Sequence, residues 1–559
     1  MRQQYEPSAD RIIALYQQLE DDILSAVIRR ILKMGYVSEA SKHQLGVLQA
    51  AGLLYDDIVQ LIADRTDACT AQVRALFEDA GVQTVEIDNS LHEAAGALPI
   101  DIRQDSSTRQ VLEAGYKKTL GTMQNLVSTT ATQTQTAFIQ TCDRIYMQVS
   151  SGAFSYQEAI MNALRALADT GATVSYPTGH TNRMDVAVRL CVLTGVSQTA
   201  AAVSLQQAED AGCYLMEITA HSGARHDHAK WQGQLVTITG KDAGKIIDGL
   251  RVFTLSEIGY GSGEGFKGWN CRHNWHAYYP GFSTPNYTQE ELKKLDEPCI
   301  SYNGKLYTEY EVSQMQRAQE RRARAWKRRC ITAQEGVNSA TDEATNAAAQ
   351  AEYSKSAVHL KANEEKLKDF CKQTGQNRDR FREQVYGFGR SEAQRAVQAN
   401  NSSFRNTMRQ KGIKNPPESI AEFKKMMYNK PDEYKLMQTY SKSVDSGMIS
   451  PLVGYEKYKE YHKRVEKELV GLTTSNGIEI KSQSNHFLER VFGTISDPTH
   501  EGAKRSGVEL EDIAEALKNG SVRQHKNGSY IYKSHNCEVS LNPNTGNLIQ
   551  VTPKKRNVP

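Results

Sequence analysis

Apolar residues recur at helical spacing through the first part of the chain. Ile12, Leu19 and Ile28 belong to a series between residues 8 and 85 that has the period of an amphipathic helix. Gly35 interrupts this series, and the polar run at residues 88–90 predicts the next break. The pattern predicts a helical region over residues 1–169.

One helix within this region is mostly polar. Residues 106–150 are rich in Thr, Gln and Ala, and Thr-Gln repeats at 129–136 leave few apolar positions. A long helix with so narrow an apolar stripe needs another surface to pack against, so we expect an assembly surface here. Ser155 and Glu158 then have the spacing of a capping box, which predicts the start of a shorter helix.

The spacing becomes mixed between residues 170 and 285. An apolar segment ending at Thr194 predicts a helix, and alternating runs at 217–219 and 235–239 predict strands. Short strands beside a helix in about this many residues indicate a small α+β unit. The pattern predicts an α+β module over residues 170–285.

Helical spacing returns after Pro285. Residues such as Tyr458 and Val465 continue it to about residue 472, with a break at residues 415–417, where two prolines follow an asparagine. We therefore predict an extended helical linker over residues 286–472.

The last segment, residues 476–559, has a different pattern. Residues 484–491 and 509–518 have helical spacing, and three alternating runs follow them, separated by glycine turns at 526–528 and 544–546. Helices followed by strands and tight turns predict a small α+β module with a three-stranded antiparallel meander. The whole chain is thus predicted to be an α+β fold that is predominantly helical.

Composition excludes several classes of protein. The 559 residues carry a net charge of +3, so the chain is not a polycation that coats nucleic acid. Mean hydropathy is −0.58, and we expect no transmembrane helix, no signal peptide and no membrane partner. Nine cysteines without paired spacing indicate reduced thiols in a cytoplasmic product.

Residues 221–281 concentrate the unusual side chains, including three of the four tryptophans. The residue types that bind zinc are present, and four candidates follow the motif: His226, His228, Cys271 and His273. There is no Cys-x-x-Cys knuckle, and on a strand His226 and His228 would point to opposite faces. A structural histidine–tryptophan cluster without a cofactor is therefore favoured, and a zinc site is the alternative. Arg225 and Arg272 are expected to stack on these tryptophans.

The glycines at residues 259–265 could form a phosphate-binding loop. No Gly-Lys-Ser or Gly-Lys-Thr follows them, as a phosphate-binding loop would require. We expect a flexible loop instead.

The order of residues in this stretch resembles the phage minor capsid protein 2 family, whose members are MuF-like minor head proteins. The motif that carries the resemblance is Arg225, His228, Trp231 and Gly233, followed by Asn270, Cys271, Arg272 and His273. The resemblance covers roughly the first 330 residues. It implies a structural protein of the virion, at the portal vertex or in the head interior, with the portal and other head proteins as partners.

A basic run at residues 316–329 is the second feature of the helical linker. Such a run can contact nucleic acid through phosphates. A solvated helix face with glutamate partners is the favoured interpretation.

The last module contains His486 and Arg490, one helical turn apart. The order of its parts resembles the nuclease toxins of the barnase–EndoU–colicin–RelE kind. That resemblance implies a metal-independent ribonuclease with RNA such as tRNA as substrate and an immunity protein as partner. It assigns proton transfer to His486 and phosphate stabilisation to Arg490 and Lys533. The family's terminal threonine position holds Gln550 here, and Thr552 lies two residues further on the same strand face.

Each of these two catalytic assignments has a simpler alternative. His486 can be an ordinary helix residue, and Arg490 an exposed residue paired with Glu489 or Asp497. Two functions therefore remain open. The chain is either a head protein that carries a ribonuclease effector or a purely structural head protein with an inactive C-terminal extension.

Overall fold

The structure, a computed structural model, describes residues 2–102, 104–176, 178–493 and 506–554. The chain divides into two compact units, Met1–Val397 and Gln398–Pro559, called unit 1 and unit 2 below. The predicted α+β, predominantly helical fold is confirmed. The predicted boundaries of the four regions stay predictions.

Long helices form most of unit 1. They are α1 (Arg2–Met34), α2 (Ala40–Ala94), α3 (Ser106–Ser150), α4 (Tyr156–Thr170), α5 (Met184–Asp210), α6 (His226–Ala229), α7 (Gln289–Lys294), α8 (Glu309–Ser339) and α9 (Glu343–Thr374). The predicted capping box is present at α4, where Ser155 and Glu158 bond reciprocally. Helices α1 to α5 share one hydrophobic core.

The polar helix α3 has the bounds that the sequence predicts, and it is packed closely between neighbours. Its Gly115 leaves no room for a side chain, because an added Cβ would lie 2.1 Å from Oγ1 of Thr199 on α5. Gly195 of α5 in turn faces Thr119 of α3, with a corresponding distance of 2.2 Å. Small and polar residues therefore serve to bring two helices together, which removes the need for a wide apolar stripe.

Two predicted helix ends are wrong. Helix α2 continues through residues 88–90 to Ala94, since Asp88 is 2% exposed and accepts a 2.5 Å hydrogen bond from Ser204 Oγ of α5. Helix α5 continues past Thr194 to Asp210, because its second half packs beside α2. Polar residues such as Asp and Asn usually indicate a helix end, and here a partner in another helix keeps them inside the helix.

Short strands complete unit 1. They are β1 (Thr173–Ser175), β2 (Thr181–Arg183), β3 (Leu215–Ile218), β4 (Leu235–Thr237), β5 (Ile246–Ile247), β6 (Leu250–Thr254), β7 (Trp275–Ala277), β8 (Ile300–Tyr302) and β9 (Lys305–Tyr307). Strands β5, β6, β4, β3 and β7 form one sheet in that order. The central strand, β4, pairs in parallel with β6 and antiparallel with β3, and β3 in turn pairs antiparallel with β7.

A buried ion network joins helices of unit 1. Arg183 Nη2 lies 2.6 Å from Glu20 Oε1, and Arg328 Nη2 lies 3.3 Å from Asp185 Oδ2 and 3.8 Å from Glu20 Oε2. Arg328 belongs to the basic run of α8 and is only 6% exposed. That part of the run is therefore structural, and the predicted solvated face is wrong for Arg328.

Helices α2 and α5 are long and apolar enough to cross a membrane by length and composition alone. The absence of a transmembrane helix stays a prediction. A core helix passes the same test, and half of the apolar window of α5 is buried inside the protein. These two helices are weak evidence for a membrane.

Unit 2 combines helices with a single sheet. Its helices are α10 (Arg390–Gln410, which begins in unit 1), α11 (Ile420–Asn429), α12 (Pro431–Asp445), α13 (Tyr455–Glu468), α14 (Asn485–Val491) and α15 (Leu510–Asn519). Its strands are β10 (Ser482–Gln483), β11 (Ser521–Gln524), β12 (Tyr530–Lys533), β13 (Cys537–Asn542) and β14 (Asn547–Pro553). The sheet order is β10, β14, β13, β12, β11.

The predicted meander forms the centre of this sheet. Strands β12, β13 and β14 are antiparallel, as the alternation predicts. Two edge strands were not predicted: β11 has four exposed residues, and β10 has only two residues, which pair in parallel with β14. Neither strand carries an alternating apolar pattern, so periodicity could not reveal them.

The core of unit 2 extends beyond residues 476–559. Side chains of α12 and α13, among them Tyr440, Tyr458 and Val465, share one hydrophobic cluster with Phe487 of α14 and Val551 of β14. Removal of the helices before residue 476 would expose that cluster to water. The intact chain is therefore the right material for assays of this unit.

Candidate functional site

Three of the four zinc-ligand candidates meet in one place. His228 lies on the short helix α6, and Cys271 and His273 lie in the segment that leads into β7. One ligand atom from each of the three lies within 4.8 Å of the others, and all three residues are buried. His226 is on the same short helix but is exposed. The predicted set of four is therefore not assembled as a set.

Trp231 packs against these histidines. Its ring centroid lies 4.5 Å from that of His228, 4.7 Å from that of His273 and 5.7 Å from that of Phe266. Trp231 is 2% exposed and Trp275 is 1% exposed, whereas Trp269 is 53% exposed. Two of the three tryptophans of the motif region thus hold the core of the module, and the third faces water.

A buried amide fixes the orientation of the His273 ring. The backbone N–H of His221 donates to Gln232 Oε1 at 3.3 Å, which identifies that atom as an acceptor. His273 Nε2 lies 3.2 Å from the same oxygen and must therefore donate its proton to it. The lone pair of His273 is consequently on Nδ1, which lies 3.6 Å from Cys271 Sγ.

The glycine-rich loop also contributes to the cluster. His228 Nε2 donates to the carbonyl oxygen of Glu264 at 2.8 Å, and Arg225 Nη2 donates to the same oxygen at 2.7 Å. Gly265 permits this geometry, because a Cβ there would lie 2.0 Å from the Gly259 carbonyl oxygen. The predicted flexible loop is instead closed by backbone hydrogen bonds, such as that from Trp269 N to Gly263 O at 2.8 Å. The Arg225 guanidinium, expected to stack on tryptophan, is engaged by Glu264.

Two residues of the motif have backbone roles. Gly233 has a φ of +66°, and a Cβ there would lie 2.7 Å from a methyl carbon of Leu292. Asn270 has a φ of +56°, in the left-handed region that asparagine tolerates better than most residues. Both positions turn the chain, Gly233 directly before the segment that enters β4 and Asn270 directly before Cys271.

Burial keeps the histidines of this cluster neutral. Burial, together with the nearby His221 and His228, lowers the pKa of His273 to about 2. Burial likewise lowers the pKa of His228 and of His221. Neutral imidazoles offer lone pairs, so the cluster is chemically a set of donors to a metal or to hydrogen bonds.

A cavity of about 330 Å³ opens onto the cluster. It is lined by His221, His228, Cys271 and His273, and by the arginines Arg225, Arg272, Arg317 and Arg321. A second cavity of about 230 Å³ shares Asn270, Arg272, Arg317 and Arg321 with the first. Arg272, expected to stack on tryptophan, is exposed and lines both cavities.

The sequence analysis missed three residues of this site. His221, Gln232 and Glu264 orient the cluster, yet none belongs to the predicted motif. His221 and Gln232 are close to the motif in sequence, and a search for hydrogen-bond partners of each histidine could have proposed them. Glu264 contributes a backbone carbonyl, which leaves no signal in the residue type.

The second candidate site lies on α14 of unit 2. His486 Nε2 lies 3.4 Å from Arg490 Nε, and His486 Nδ1 lies 3.4 Å from Glu489 Oε2. The His486 side chain is 41% exposed. Arg490, expected to be exposed, is 6% exposed, because α14 packs against β14 and turns Arg490 inward. Asp497, the other expected partner of Arg490, lies outside the described residues.

Lys533 and Thr552 lie apart from this pair. Lys533, Glu538 and Thr552 are directly opposite one another on β12, β13 and β14, and Lys533 Nζ lies 3.2 Å from Glu538 Oε1. The adjacent row, Tyr532, Val539 and Val551, is fully buried. Strand side chains alternate between faces, so Lys533 and Thr552 lie on the face opposite the core that contains Phe487 of α14. The structure therefore does not bring the four predicted catalytic residues together.

Comparison with known proteins now decides the family. A family model described as phage minor capsid protein 2 matches residues 2–372, well over half of the chain. The chain belongs to the phage minor capsid protein 2 family. The resemblance carried by the motif between Arg225 and His273 is thus confirmed at the level of the family.

Two relatives of this phage minor capsid protein are named structural proteins. It is similar to a structural protein of Lactococcus phage LL-H, with 24% identity over 333 residues, which make up 57% of this chain and 86% of that protein. A structural protein of Lactococcus phage mv4 is 36% identical over 81 residues, or 14% of this chain and 57% of that protein. No solved structure matches the chain.

The family match ends at residue 372, and unit 2 begins at Gln398. The match therefore identifies unit 1 as the part that defines a phage minor capsid protein, a structural component of the virion. The resemblance of unit 2 to nuclease toxins stays a prediction.

Proposed function

We propose that this minor capsid protein acts at the portal vertex or in the head interior during head morphogenesis. The observation that carries the proposal is the family match over residues 2–372, which contains the whole α+β module. We further propose that this module contacts the portal or a neighbouring head protein. Unit 2 is then an appended part of the same chain.

Exposed aromatic side chains on the module support a docking role. Trp269 is 53% exposed and Phe282 is 81% exposed. Large aromatic residues frequently anchor protein interfaces, since they bury much area at a small loss of side-chain entropy. Both lie outside the packed core, so their replacement leaves the fold intact.

The test compares surface variants during infection. Trp269→Ser and Phe282→Ser are introduced together in the full chain, and the matched control is Leu98→Ser, which is 89% exposed but lies outside the module. Head particles are purified, and the protein is quantified by mass spectrometry with cross-linking to identify neighbours. We expect cross-links to the portal, loss of incorporation in the double variant and normal incorporation in the control. Normal incorporation of the double variant would contradict docking through these side chains.

We also propose a second candidate function, a metal-independent ribonuclease activity in unit 2. The observation that favours it is the position of His486 between Glu489 and Arg490, each at 3.4 Å. A histidine can remove the proton of a ribose 2′-hydroxyl, and an adjacent guanidinium can stabilise the charge that develops on the phosphate. The separate location of Lys533 and Thr552 argues for the structural alternative.

The two alternatives for unit 2 differ in a direct assay. The full chain is incubated with total tRNA in EDTA, and the products are examined for 2′,3′-cyclic phosphate ends. If unit 2 is a ribonuclease, His486→Ala reduces cleavage by about 10²–10⁴-fold, since it removes the proton carrier. The control His525→Ala, at an exposed turn, has no effect. Intact RNA at high protein excess would leave unit 2 as a structural extension without an RNA substrate or an immunity partner.

A further inference from the structure

We propose that His228, Cys271 and His273 bind one zinc ion in the α+β module. Their ligand atoms already lie within 4.8 Å of one another. Zinc–sulfur and zinc–nitrogen bonds of about 2.3 and 2.05 Å in a tetrahedron place sulfur and nitrogen about 3.6 Å apart. The distance from Cys271 Sγ to His273 Nδ1 is 3.6 Å. One edge of the tetrahedron is thus in place, and a nitrogen of His228, within 4.8 Å of the other two ligand atoms, is the third donor.

The outer hydrogen bonds have the arrangement that metal-binding histidines need. Such histidines almost always donate the second ring nitrogen to a fixed acceptor, which sets the tautomer. His273 donates Nε2–H to Gln232 Oε1, and His228 donates Nε2–H to the Glu264 carbonyl oxygen. Each ring therefore keeps its lone pair on Nδ1. These hydrogen bonds support a metal site even though the residue spacing differs from that of an ordinary zinc finger.

The fourth coordination position faces the cavity of about 330 Å³ that the three ligands line. His221 lines the same cavity, with its ring centroid 4.4 Å from that of His273. His221 Nδ1 donates to the Ser222 carbonyl oxygen, and its buried Nε2 has no hydrogen-bond partner among the described residues. An unpaired buried acceptor is costly. A water molecule bound to the zinc ion would supply the missing donor.

The ligands rather than the surrounding charge favour a divalent ion. Four arginines line the cavity and oppose a cation: Arg225, Arg272, Arg317 and Arg321. The one beside His228, Arg225, is offset by Glu264, whose Oε2 lies 3.2 Å from Arg225 Nη1. The Cys271 thiolate neutralises half of the charge of the ion. One sulfur and two imidazole nitrogens form a ligand set that selects zinc, because magnesium and calcium require oxygen ligands.

The alternative is a cluster without metal in which the Cys271 thiol donates to His273 Nδ1. Zinc content separates the two. The full chain is purified without chelator, and chelator-treated protein is titrated with zinc under reducing conditions. We expect about one equivalent of zinc in the wild type, its loss in Cys271→Ser and its retention in His226→Ala, because His226 is exposed on the same helix. Gln232→Ala, which removes the acceptor of His273, should weaken affinity by about 10–100-fold.

A measurement on the wild type guards against variants that fail to fold. Alkylation of each cysteine is followed by peptide mass spectrometry with and without zinc. Zinc should slow alkylation of Cys271 and leave that of the exposed Cys299 unchanged. Cobalt in place of zinc should give a thiolate charge-transfer absorption band. Folded wild-type protein that takes up no zinc, or zinc that leaves Cys271 reactivity unchanged, would overturn the proposal. Neither result bears on the capsid or ribonuclease proposals.

Discussion

The two histidine sites of this protein differ in how they are supported. In unit 1, His228 and His273 are 2% and 1% exposed, and a buried amide or a loop carbonyl holds each ring. In unit 2, the His486 side chain is 41% exposed and contacts only residues of its own helix turn in the hydrogen bonds and ion pairs described. A preorganised site needs such supporting contacts. Unit 1 therefore contains a built site, whereas unit 2 contains a local pair.

The largest expected effect tests whether packing holds the unit 1 site. Trp231→Ala removes a 2%-exposed side chain that packs on His228 and His273. We expect a loss of about 3–5 kcal/mol in the free energy of unfolding, the usual result when a large aromatic residue is deleted from a core. Trp269→Ala, at a position that is 53% exposed, should change it by about 0.5 kcal/mol.

Chemical denaturation followed by circular dichroism measures both tryptophan variants. Equal losses of unfolding free energy in the two variants would mean that Trp231 is not part of a packed core. The histidine cluster of unit 1 would then be no better supported than His486 in unit 2.

A pH experiment tests the hydrogen bond between Asp88 of α2 and Ser204 of α5, which lies where a helix break was predicted. Burial raises the pKa of Asp88 from 3.8 to about 6. The folded state then binds more protons than the unfolded state between these values, so this stabilisation is present below about pH 4 and is lost as the pH rises through 6. The shift corresponds to at most about 3 kcal/mol.

Asp88→Asn keeps an acceptor for Ser204 but cannot ionise. Relative to the wild type, the variant should therefore gain stability as the pH rises from 4 to 7. Asp56→Asn makes the same change at an exposed position of α2 and should show no such trend. Thermal unfolding at several pH values measures the difference, and a trend of the opposite sign would show that Asp88 is stabilised as a carboxylate.

The smallest effect concerns unit 2. Arg490→Ala removes a 6%-exposed side chain and should cost about 1–3 kcal/mol through lost packing and hydrogen bonding. Lys533→Ala removes an exposed ion pair with Glu538 and should cost about 0.2–1 kcal/mol. If the two variants were equally stable, the Arg490 side chain would contribute no more to the fold than an exposed residue. The unit 2 site would then be held by the surrounding structure as little as a surface ion pair is.

Residue patterns predicted much of the fold because many elements carry their own periodicity. Helix α3, the capping box of α4 and the three central strands of unit 2 follow from local spacing. The missed features depend on partners distant in sequence. The continuation of α2 depends on Ser204, and the short strand β10 exists only because β14 lies beside it.

The sites show the same division. The order from Arg225 to His273 identified the family and the stretch that holds the cluster. Sequence spacing could not separate the buried His228 from the exposed His226, because a four-residue helix rather than a strand carries both. It also could not separate the two faces of the unit 2 sheet, which divide Lys533 and Thr552 from His486.

The central claim is that unit 1 carries the capsid function and that unit 2 is an appended part. The most direct measurement is incorporation of residues 1–397 into phage heads during infection with a phage that lacks the gene, compared with the full chain. The account predicts that residues 1–397 appear in purified virions at the level of the full chain. Absence of this fragment from virions, when it is folded and abundant in the infected cell, would contradict the account.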